Sequence, residues 1–392
     1  MNISSTQREE EKEGRKLYHK SQSFDTFVST LNTDLEAQQA RCIRILEKKI
    51  PAVSDGAKKS VLEEVLKNLK AEDDSAEFKL TIPIGDELSK LKDNNVSRYL
   101  FHRYRYDLFP RKKKLDEYPP YLQIEPSSVC NYRCVFCYQT DKAFTEKKGG
   151  MMGQMSFDLF RKIIDEAEGN IEFFSLASRG EPFVCRDIGK MLRYCKDKFL
   201  GLKVNTNASL LTEDHCHAIL SGGVNTLVIS ADAAVEPLYS QMRVNGKLER
   251  VMEKLRMFSD IKKKDYPDSK LITRVSGVKY NQEQTMASMT EVWGPLVDQV
   301  CFVDYNPWEN VYESPESGVR EACSDLWRRM FVWFDGAVNP CDTDYRSTLR
   351  IGRFPEKSIS DLWRQEDYQQ LRESHLEGKR SAVSPCRQCT VV

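Results

Sequence analysis

Three cysteines spaced Cys130-x3-Cys134-x2-Cys137 are the residues of this chain best suited to chemistry. They follow the apolar run at residues 121–124, so we expect them on a loop that leaves a strand. Three thiolates at this spacing can hold three corners of a cubic [4Fe–4S] cluster, which leaves the fourth iron open to a small molecule. The alternatives are a zinc site, which prefers four ligands, and three unrelated cysteines in the core.

Four further cysteines lie towards the C-terminus, spaced Cys323-x17-Cys341-x44-Cys386-x2-Cys389. The regular pattern of strands and helices breaks after about residue 306, and turn-forming residue pairs become frequent there. We therefore expect a small C-terminal unit that is stapled by metal. A structural zinc ion bound by the same four thiolates is the alternative to a second cluster.

Between these two groups of cysteines, and just before the first, strand-like and helical stretches alternate. The strand-like runs are Tyr121–Glu125, Glu172–Ala177, Leu202–Asn205, Thr226–Ser230, Leu271–Val275 and Gln299–Val303. The helical stretches are Ser156–Glu166, Ile188–Lys198, Thr212–Leu220, Leu248–Phe258 and Gln282–Trp293. Strands joined by helices predict a parallel sheet with right-handed crossovers. Because six strands are too few for an eight-unit barrel, we expect an α/β fold with a partial, open (β/α)6 barrel and its chemistry at the strands' C-terminal ends.

The N-terminal part of the chain shows a helical pattern and no alternation of strands and helices. Apolar residues recur at helix spacing within residues 40–46 and again within residues 61–66. We expect an N-terminal, mostly helical extension at residues 1–115, the barrel at residues 116–306, and a small cysteine-rich C-terminal domain at residues 307–392.

Composition excludes several classes of protein. Lys and Arg together number 59, and so do Asp and Glu, so no overall field attracts nucleic acid or a membrane surface. No stretch approaches the roughly 20 apolar residues that span a bilayer. Residues 1–10 have no apolar core, so no signal peptide is expected. The 12 cysteines then point to a reducing compartment, and we expect a cytoplasmic protein without a nucleic-acid or membrane partner.

The first cysteine motif resembles the CxxxCxΦC signature of radical SAM enzymes, with Phe136 as the aromatic residue before the last cysteine. The resemblance covers the chain from Tyr121 to its end. It implies that Cys130, Cys134 and Cys137 hold a [4Fe–4S] cluster whose open iron binds S-adenosyl-L-methionine.

Residues at the ends of later strands also resemble that family. Gly180, Glu181 and Pro182 are similar to its GGE motif, with Arg179 in place of the first glycine. The other positions that resemble contacts to S-adenosylmethionine are Asn205, Asn207, Ser230, Asp232, Arg243, Ser276 and Val278. Arg243 suits the cofactor's carboxylate, because a guanidinium binds a carboxylate through two parallel hydrogen bonds.

The C-terminal cysteines resemble the ligands of the SPASM/twitch extension that a subset of radical SAM enzymes carries. Residues 335–341 are similar to the short hairpin before its second ligand. No cysteine follows Cys389 in the sequence, so the resemblance implies one auxiliary [4Fe–4S] cluster, as in the shorter twitch variant. Its implied ligands are Cys323, Cys341, Cys386 and Cys389.

Similarity to twitch-type cyclitol and sugar dehydrogenases implies a radical SAM oxidoreductase. Its expected reaction cleaves S-adenosylmethionine reductively to a 5′-deoxyadenosyl radical, which abstracts hydrogen from a small polar substrate. The expected outcome is oxidation of an alcohol of an amino sugar, cyclitol or sugar nucleotide, with the auxiliary cluster as electron acceptor. Asp304, which follows the last predicted strand, is a candidate base. A flavodoxin- or ferredoxin-type protein is the expected reductant.

Three other functions stay open on the same residues. One is maturation of a ribosomally made peptide, and a second is redox-neutral epimerisation of a sugar. Peptide maturases often carry a small winged N-terminal domain of strands and helices, which the helical pattern of residues 27–105 does not favour. The third is a two-cluster protein for electron transfer or scaffolding, which the open three-cysteine site does not favour.

Overall fold

Parallel strands form the middle of a ten-stranded sheet in the computed structural model, which describes residues 17–20, 23–71, 76–146, 149–309 and 311–392. The strands are β1 (Phe24–Ser29), β2 (Tyr121–Ile124), β3 (Arg133–Cys134), β4 (Phe173–Leu176), β5 (Gly201–Thr206), β6 (Val224–Ser230), β7 (Arg243–Val244), β8 (Ile272–Lys279), β9 (Gln299–Asp304), β10 (Arg329–Val332), β11 (Ala337–Asn339) and β12 (Gly352–Arg353).

In the barrel the α-helices alternate with the strands as a βα repeat predicts, whereas four helices precede β2 and two follow β12 in the described part of the chain. They are α1 (Leu35–Lys49), α2 (Gly56–Lys70), α3 (Ile82–Lys90), α4 (Asp93–Leu108), α5 (Lys142–Thr145), α6 (Phe157–Ala167), α7 (Ile188–Tyr194), α8 (Glu213–Ser221), α9 (Leu238–Met242), α10 (Leu248–Asp265), α11 (Met286–Trp293), α12 (Ile359–Arg364) and α13 (Glu366–Leu376). Within the described part of the chain, no helix is long and apolar enough to cross a membrane.

The six predicted strands lie side by side in chain order. Strands β2, β4, β5, β6, β8 and β9 pair in parallel, each with its neighbour. Among the described strands, the two ends of the sheet do not pair with each other, so the barrel is open. The structure therefore confirms the predicted partial (β/α)6 barrel.

Helix α6 shows why the predicted crossover helices form. The Ser156 side chain accepts a hydrogen bond of 3.2 Å from the backbone N–H of Leu159 and so caps the first turn. The buried side chains of the helix, which recur at helix spacing, are Phe160, Ile163, Ile164 and Ala167. They belong to the main hydrophobic core beneath the sheet, whereas Asp158 and Arg161 pair on the exposed face.

Two strands that the sequence pattern does not predict extend the barrel sheet at its edges. Strand β1 pairs antiparallel with β9, with Phe27 opposite Cys301. Strand β10 pairs in parallel with β2, with Arg329 opposite Tyr121, and β11 and β12 continue the sheet. Each covers an edge that would otherwise expose unpaired backbone groups. Residues after the last barrel strand thus belong in part to the barrel sheet.

The N-terminal helices α1 to α4 confirm the predicted helical extension, and α4 closes one end of the barrel. His102 on α4 stacks on Phe173, the first residue of β4, with ring centroids 4.0 Å apart and planes 9° apart. Arg98 donates two hydrogen bonds, of 2.8 and 2.7 Å, to the carboxylate of Glu172. Because these contacts involve the N-terminal ends of the strands, α4 forms the floor of the barrel and the opposite end forms its mouth.

Candidate functional site

The three-cysteine loop lies at the mouth, directly after β2. Cys134 is buried in the short strand β3 and pairs with Arg243 in β7, whereas Cys130 and Cys137 are half-buried. Burial raises the pKa of the Cys130 thiol to about 12, with Glu181 as a further cause. Burial also raises the pKa of Cys137, and both Cys134 and Cys130 contribute to that rise. The structure therefore brings the three thiols together in a site where a metal would have to displace their protons.

Gly180 fixes the loop that leads into this motif. A Cβ atom at Gly180 would lie 2.4 Å from the carbonyl oxygen of Ser127 and 2.6 Å from that of Val129. The next residue, Glu181, donates a backbone hydrogen bond of 3.0 Å to the same Val129 oxygen. Only glycine fits this close approach between the end of β4 and the loop, so the GGE-like segment positions the cysteines through backbone contact.

We predict that Gly180→Ala lowers iron incorporation at the first site, because the new methyl group displaces the backbone before Cys130. The measurement is iron per chain after anaerobic reconstitution, where a loss of up to about four atoms is expected. Gly56→Ala is the matched control, since nothing lies within 4 Å of a Cβ at that position. Full iron loading of the Gly180 variant would contradict this role.

The Glu181 carboxylate joins the ends of two neighbouring strands. It accepts hydrogen bonds from the hydroxyl of Thr206 (2.6 Å), the backbone N–H of Asn207 (2.8 Å) and the backbone N–H of Phe183 (3.2 Å). Burial raises the pKa of Glu181, and these three donors oppose the rise. Pro182 begins the short 3-10 turn that presents the Phe183 donor. The carboxylate thereby holds the strand ends in register beside the cysteine loop.

Asp232 and Arg243 form a buried ion pair against the motif. Arg243 Nε lies 2.6 Å from Asp232 Oδ2, and Arg243 Nη1 lies 3.8 Å from the sulfur of Cys134. The guanidinium also lies over the ring of Phe136, 5.9 Å from its centroid. Asp232 Oδ1 accepts a 2.7 Å hydrogen bond from the backbone N–H of Val278. Four predicted contact residues, namely Phe136, Asp232, Arg243 and Val278, thus form one connected cluster that reaches Cys134.

The remaining predicted contact positions lie on neighbouring strand ends. Asn207 Nδ2 donates a 3.0 Å hydrogen bond to Asn131, which lies inside the cysteine motif. Asn205 Oδ1 is buried and has no hydrogen-bond partner among the described residues. Ser230 pairs with Ser276 in the β6–β8 register. Because an orphaned acceptor and three clustered thiols face this region, the residues present fit a polar cofactor bound beside a cluster.

A cavity of about 400 Å³ runs through the barrel from floor to mouth. Tyr121, Lys203 and Arg274 are among the barrel side chains that line it, and Tyr106 of α4 closes the floor. At the mouth, Trp308 lines the cavity and donates a 3.2 Å hydrogen bond from Nε1 to the carbonyl of Phe136. This cavity is not predicted by the sequence pattern, because charged side chains within strands otherwise suggest a solvated face.

Two carboxylates lie near this mouth. Asp304, the predicted base, is half-buried at the end of β9, and its neighbour Val303 lines the cavity. Glu309 was not predicted; it accepts a hydrogen bond from Tyr305, and its Oε2 is buried without a hydrogen-bond partner among the described residues. Burial raises the pKa of Glu309.

The four C-terminal cysteines line a single small cavity. Burial is the first cause of the raised pKa of Cys341, and Cys386 and Cys323 add to it. Cys389 and Cys323 likewise add to the raised pKa of Cys386. In the described ranges, no three His, Cys, Asp or Glu side chains converge as they would on a single metal ion. The four thiols form a closed donor set around a space, which fits a fully ligated cluster.

Arg380 holds the loops that carry these cysteines. Its guanidinium donates hydrogen bonds to the carbonyl oxygens of Cys386 (3.3 Å), Cys389 (3.0 Å) and Val391 (3.0 Å). The backbone N–H of Val391 in turn points at the sulfur of Cys389, 3.4 Å away. Backbone donors of this kind stabilise negative charge on a thiolate.

An aromatic cluster joins the two groups of cysteines. Tyr138, the neighbour of Cys137, stacks on Tyr345 with ring centroids 4.9 Å apart and planes 23° apart. Cys137 and Cys389 both pack against this cluster, as does Trp308. In the sequence, the only indication of this aromatic cluster is the position of Tyr138 next to the cysteine motif.

Arg179, which departs from the GGE pattern, forms a buried ion pair with Glu125. Its Nε and Nη2 donate hydrogen bonds of 2.7 and 2.6 Å to the two Glu125 oxygens, and the two side chains are 2% and 0% exposed. Its Nη1 donates to the carbonyl of Tyr345 (2.9 Å), and the guanidinium lies 4.2 Å from the ring centroid of Trp333. The arginine therefore ties the end of β4 to the C-terminal region.

We predict that Arg179→Met destabilises the protein by about 3–5 kcal/mol, because it leaves the Glu125 charge buried and unpaired. The double variant Glu125→Gln with Arg179→Met should recover part of that loss. Denaturation followed by tryptophan fluorescence measures both. Arg161→Met breaks an exposed pair and should leave the midpoint unchanged. An Arg179 variant as stable as that control would refute a structural role for the pair.

The comparisons with known proteins agree with this geometry. Residues 124–289 match the radical SAM superfamily, and residues 323–390 match the SPASM iron–sulfur cluster-binding domain. The chain is 32% identical over 114 residues to the tungsten-containing aldehyde ferredoxin oxidoreductase cofactor-modifying protein of Pyrococcus furiosus, which covers 29% of this chain and 30% of that protein. It is 21% identical over 288 residues to the S-adenosyl-L-methionine-dependent 2-deoxy-scyllo-inosamine dehydrogenase of Niallia circulans, covering 69% and 92%.

The fold has a solved counterpart over most of its length. The crystal structure of Streptococcus suis SuiB bound to the precursor peptide SuiA superposes with a TM-score of 0.52 at 14% identity, covering 86% of this chain and 84% of that one. Among the curated relatives, the chain spans only 30% of the Pyrococcus protein and 41% of an AdoMet-dependent heme synthase of Methanosarcina barkeri, to which it is 26% identical over 150 residues, or 38% of this chain.

The matched domains imply a [4Fe–4S] cluster with S-adenosylmethionine in the barrel and auxiliary iron–sulfur chemistry in the C-terminal region. The two convergent groups of cysteines described above supply thiols for both. The chain therefore carries a radical SAM domain at residues 124–289, followed by a SPASM iron–sulfur cluster-binding domain at residues 323–390.

Proposed function

We propose that this radical SAM enzyme is an oxidoreductase that oxidises an alcohol of a small polar substrate inside the barrel. The substrate class is an amino sugar, a cyclitol or a sugar nucleotide. The observation that supports this proposal is the cavity of about 400 Å³, which α4 closes at the floor. Small-molecule sites typically measure about 300–1,000 Å³. At its upper end the cavity reaches Trp308, beside the cysteine motif, and Asp342, next to Cys341 of the second site.

The proposed ligands of the first cluster are Cys130, Cys134 and Cys137, and those of one auxiliary [4Fe–4S] cluster are Cys323, Cys341, Cys386 and Cys389. When bound, the reduced first cluster and S-adenosylmethionine supply a 5′-deoxyadenosyl radical that removes hydrogen from an unactivated carbon. The proposed contacts to S-adenosylmethionine are Phe136, Gly180, Glu181, Pro182, Asn205, Asn207, Ser230, Asp232, Arg243, Ser276 and Val278. Arg243 keeps its guanidinium at the motif because Asp232 pairs with it from below.

Oxidation of an alcohol to a carbonyl removes a hydrogen atom from carbon, a proton from oxygen and one electron. The auxiliary cluster would supply the acceptor for that electron, and a flavodoxin- or ferredoxin-type protein would supply the electron that starts the reaction. The aromatic cluster of Tyr138 and Tyr345 supports this assignment, since both Cys137 and Cys389 pack against it. We further propose the domain division at residues 1–115, 116–306 and 307–392.

The proton acceptor is proposed to be a carboxylate at the mouth, either Asp304 or Glu309. Asp304→Asn and Glu309→Gln separate the two, because only loss of the true base should lower kcat by about 100-fold or more while leaving S-adenosylmethionine binding unchanged. Burial raises the pKa of Glu309, so a Glu309 base would lose activity as the pH falls through that raised pKa. A kcat unchanged from that of the unmodified protein in both variants would refute a carboxylate base at this mouth.

Deuterated substrates test the whole proposal. The reconstituted protein is incubated with S-adenosylmethionine, a reductant and each candidate alcohol deuterated at its ring carbons, and label is sought in 5′-deoxyadenosine. Transfer from a sugar or cyclitol with formation of a ketone supports the dehydrogenase. Transfer with retention of the alcohol would make it an epimerase, and transfer only from a peptide would make it a peptide maturase. No 5′-deoxyadenosine at all would leave an electron-transfer or scaffold protein.

A further inference from the structure

The acidic side chains that line the barrel cavity all have partners. The cavity's carboxylates in the described ranges are Glu87, Asp107 and Asp342. Glu87 accepts a 2.6 Å hydrogen bond from the hydroxyl of Tyr99, Asp107 pairs with Arg103, and Asp342 pairs with Lys20. Two of the three are thus paired with cations, whereas Glu87 has no ion pair among the described residues and acts on Lys203 from a distance.

Three cations of the barrel wall face the same cavity, and two of them have no ion pair among the described residues. They are Lys203 on β5, Arg274 on β8 and Arg329 at the start of β10. Within the described residues, Lys203 and Arg274 have no carboxylate at ion-pair distance; Arg274 Nε donates instead to the side-chain oxygen of Gln299 (2.7 Å). Arg329 Nε lies 3.6 Å from Asp325, a carboxylate that also pairs with Lys20 and Arg328.

The three cations act on one another across the cavity. Burial, aided by Arg329 and Arg274, lowers the pKa of Lys203 to about 8, against the opposing effects of Tyr106 and Glu87. Like charges enclosed by protein repel more strongly than in water, so the arrangement costs free energy unless an anion completes it. Side chains that gather one sign of charge in a cleft create a field that attracts the opposite sign.

We propose that the floor of the barrel binds the phosphate or carboxylate group of a small polyol or sugar-like substrate, held by Lys203, Arg274 and Arg329. The inference rests on the proposed function and narrows its substrate class. Guanidinium groups bind phosphate and carboxylate oxygens through paired hydrogen bonds, and an ammonium adds a point charge. Within the class proposed above, a sugar phosphate or sugar nucleotide therefore fits the site, whereas a free amino sugar would be repelled.

The spacing of side chains along β5 indicates how far a bound substrate would extend from the floor of the barrel. Lys203 and Asn205 face the cavity from the same strand, two residues apart, which corresponds to about 7 Å along β5. The orphaned Oδ1 of Asn205 and the hydroxyl of Ser276 lie above the cations and below the mouth. A polyol anchored at the floor thus extends towards the proposed cofactor contacts Asn205 and Ser276 and towards Trp308, beside the cysteine motif.

The test measures the reactivity of Lys203 itself in the reconstituted holoenzyme. Competitive acetylation with acetic anhydride, read by mass spectrometry, reports the fraction of each lysine that is unprotonated. Glycerol 3-phosphate and glycerate are compared with glycerol and glucosamine at constant ionic strength in KCl. A bound anion that raises the Lys203 pKa by one unit lowers its labelling at pH 8 about fivefold. Protection by the phosphate alone assigns a phosphate site, and protection by glycerate alone assigns a carboxylate site.

Matched variants keep the outcome interpretable. Arg274→Met should abolish the protection while Lys203 remains reactive, and Arg256→Met, which removes an exposed arginine of α10, should retain it. Absence of protection by both anions, or equal protection by glucosamine, would overturn the inference. Formation of 5′-deoxyadenosine by the same holoenzyme preparation is measured alongside. If S-adenosylmethionine is cleaved normally but neither anion protects Lys203, only the proposed anion site is refuted. If an anion protects Lys203 but S-adenosylmethionine is not cleaved, only the proposed reaction is refuted.

Discussion

Cys134→Ala is expected to abolish formation of 5′-deoxyadenosine from S-adenosylmethionine in the reconstituted protein. Cys134 is buried between Cys130 and Cys137, and its strand β3 is paired with β7. Two half-buried thiolates cannot secure a cubic cluster alone, so iron should fall by about four atoms per chain from the about eight expected with both clusters. Anaerobic iron analysis and quantification of 5′-deoxyadenosine give both values.

Cys42→Ala is the matched control for that variant. Cys42 is also buried, but it lies among the N-terminal helices, away from the motif. Its loss should leave cleavage and iron content intact at a modest cost in stability. Cleavage that survives in the Cys134 variant, or is lost equally in the Cys42 variant, would mean that the motif does not hold the reactive cluster.

Cys389→Ala is expected to separate cleavage from product formation. The first cysteine motif is unchanged in this variant, so 5′-deoxyadenosine should still form, although uncoupled from oxidation. The auxiliary site loses one of four ligands and with it the acceptor for the substrate's electron. The ratio of oxidised product to 5′-deoxyadenosine should therefore fall at least about tenfold, in line with the loss typical of a removed metal ligand or its support.

The control for the auxiliary site is Cys195→Ala, which removes a buried thiol whose Sγ donates to the carbonyl of Met191. An unchanged product ratio in the Cys389 variant would show that the electron leaves by another route. Metal analysis of the unmodified protein distinguishes the zinc alternative, since about four irons and one zinc per chain would replace about eight irons.

The barrel could be predicted from the sequence because each βα unit is a local pattern. Apolar runs such as residues 224–230 are long enough to be recognised without knowledge of their neighbours. Cysteine spacing is equally local, so the motif and the four C-terminal cysteines could be named before any contact was known. The later strand-end residues were accessible only through their resemblance to a family.

Features that depend on distant parts of the chain could not be predicted. Strand β10 has four residues and stands in a region without a regular period, so its pairing with β2 and β11 defines it. In the sequence, Arg179 is only a departure from the GGE motif. Its role depends on the contact with Glu125, 54 positions away, which the sequence pattern does not indicate. Lys203, Arg274 and Arg329 come from three separate strands, and no pattern in the sequence indicates that they enclose one space.

The backbone pairing of β10 with β2 has a consequence for modularity. Four residues of the C-terminal region, which form β10, pair in parallel with β2, the strand that leads into the cysteine loop. Deletion of the residues after 306 would remove the strand that pairs with β2 and would expose an unpaired sheet edge, which promotes aggregation. Transfer of this C-terminal region to another barrel would accordingly require a strand that can pair with β10. The same pairing fixes the distance between the two groups of cysteines, because both groups are attached to one continuous sheet.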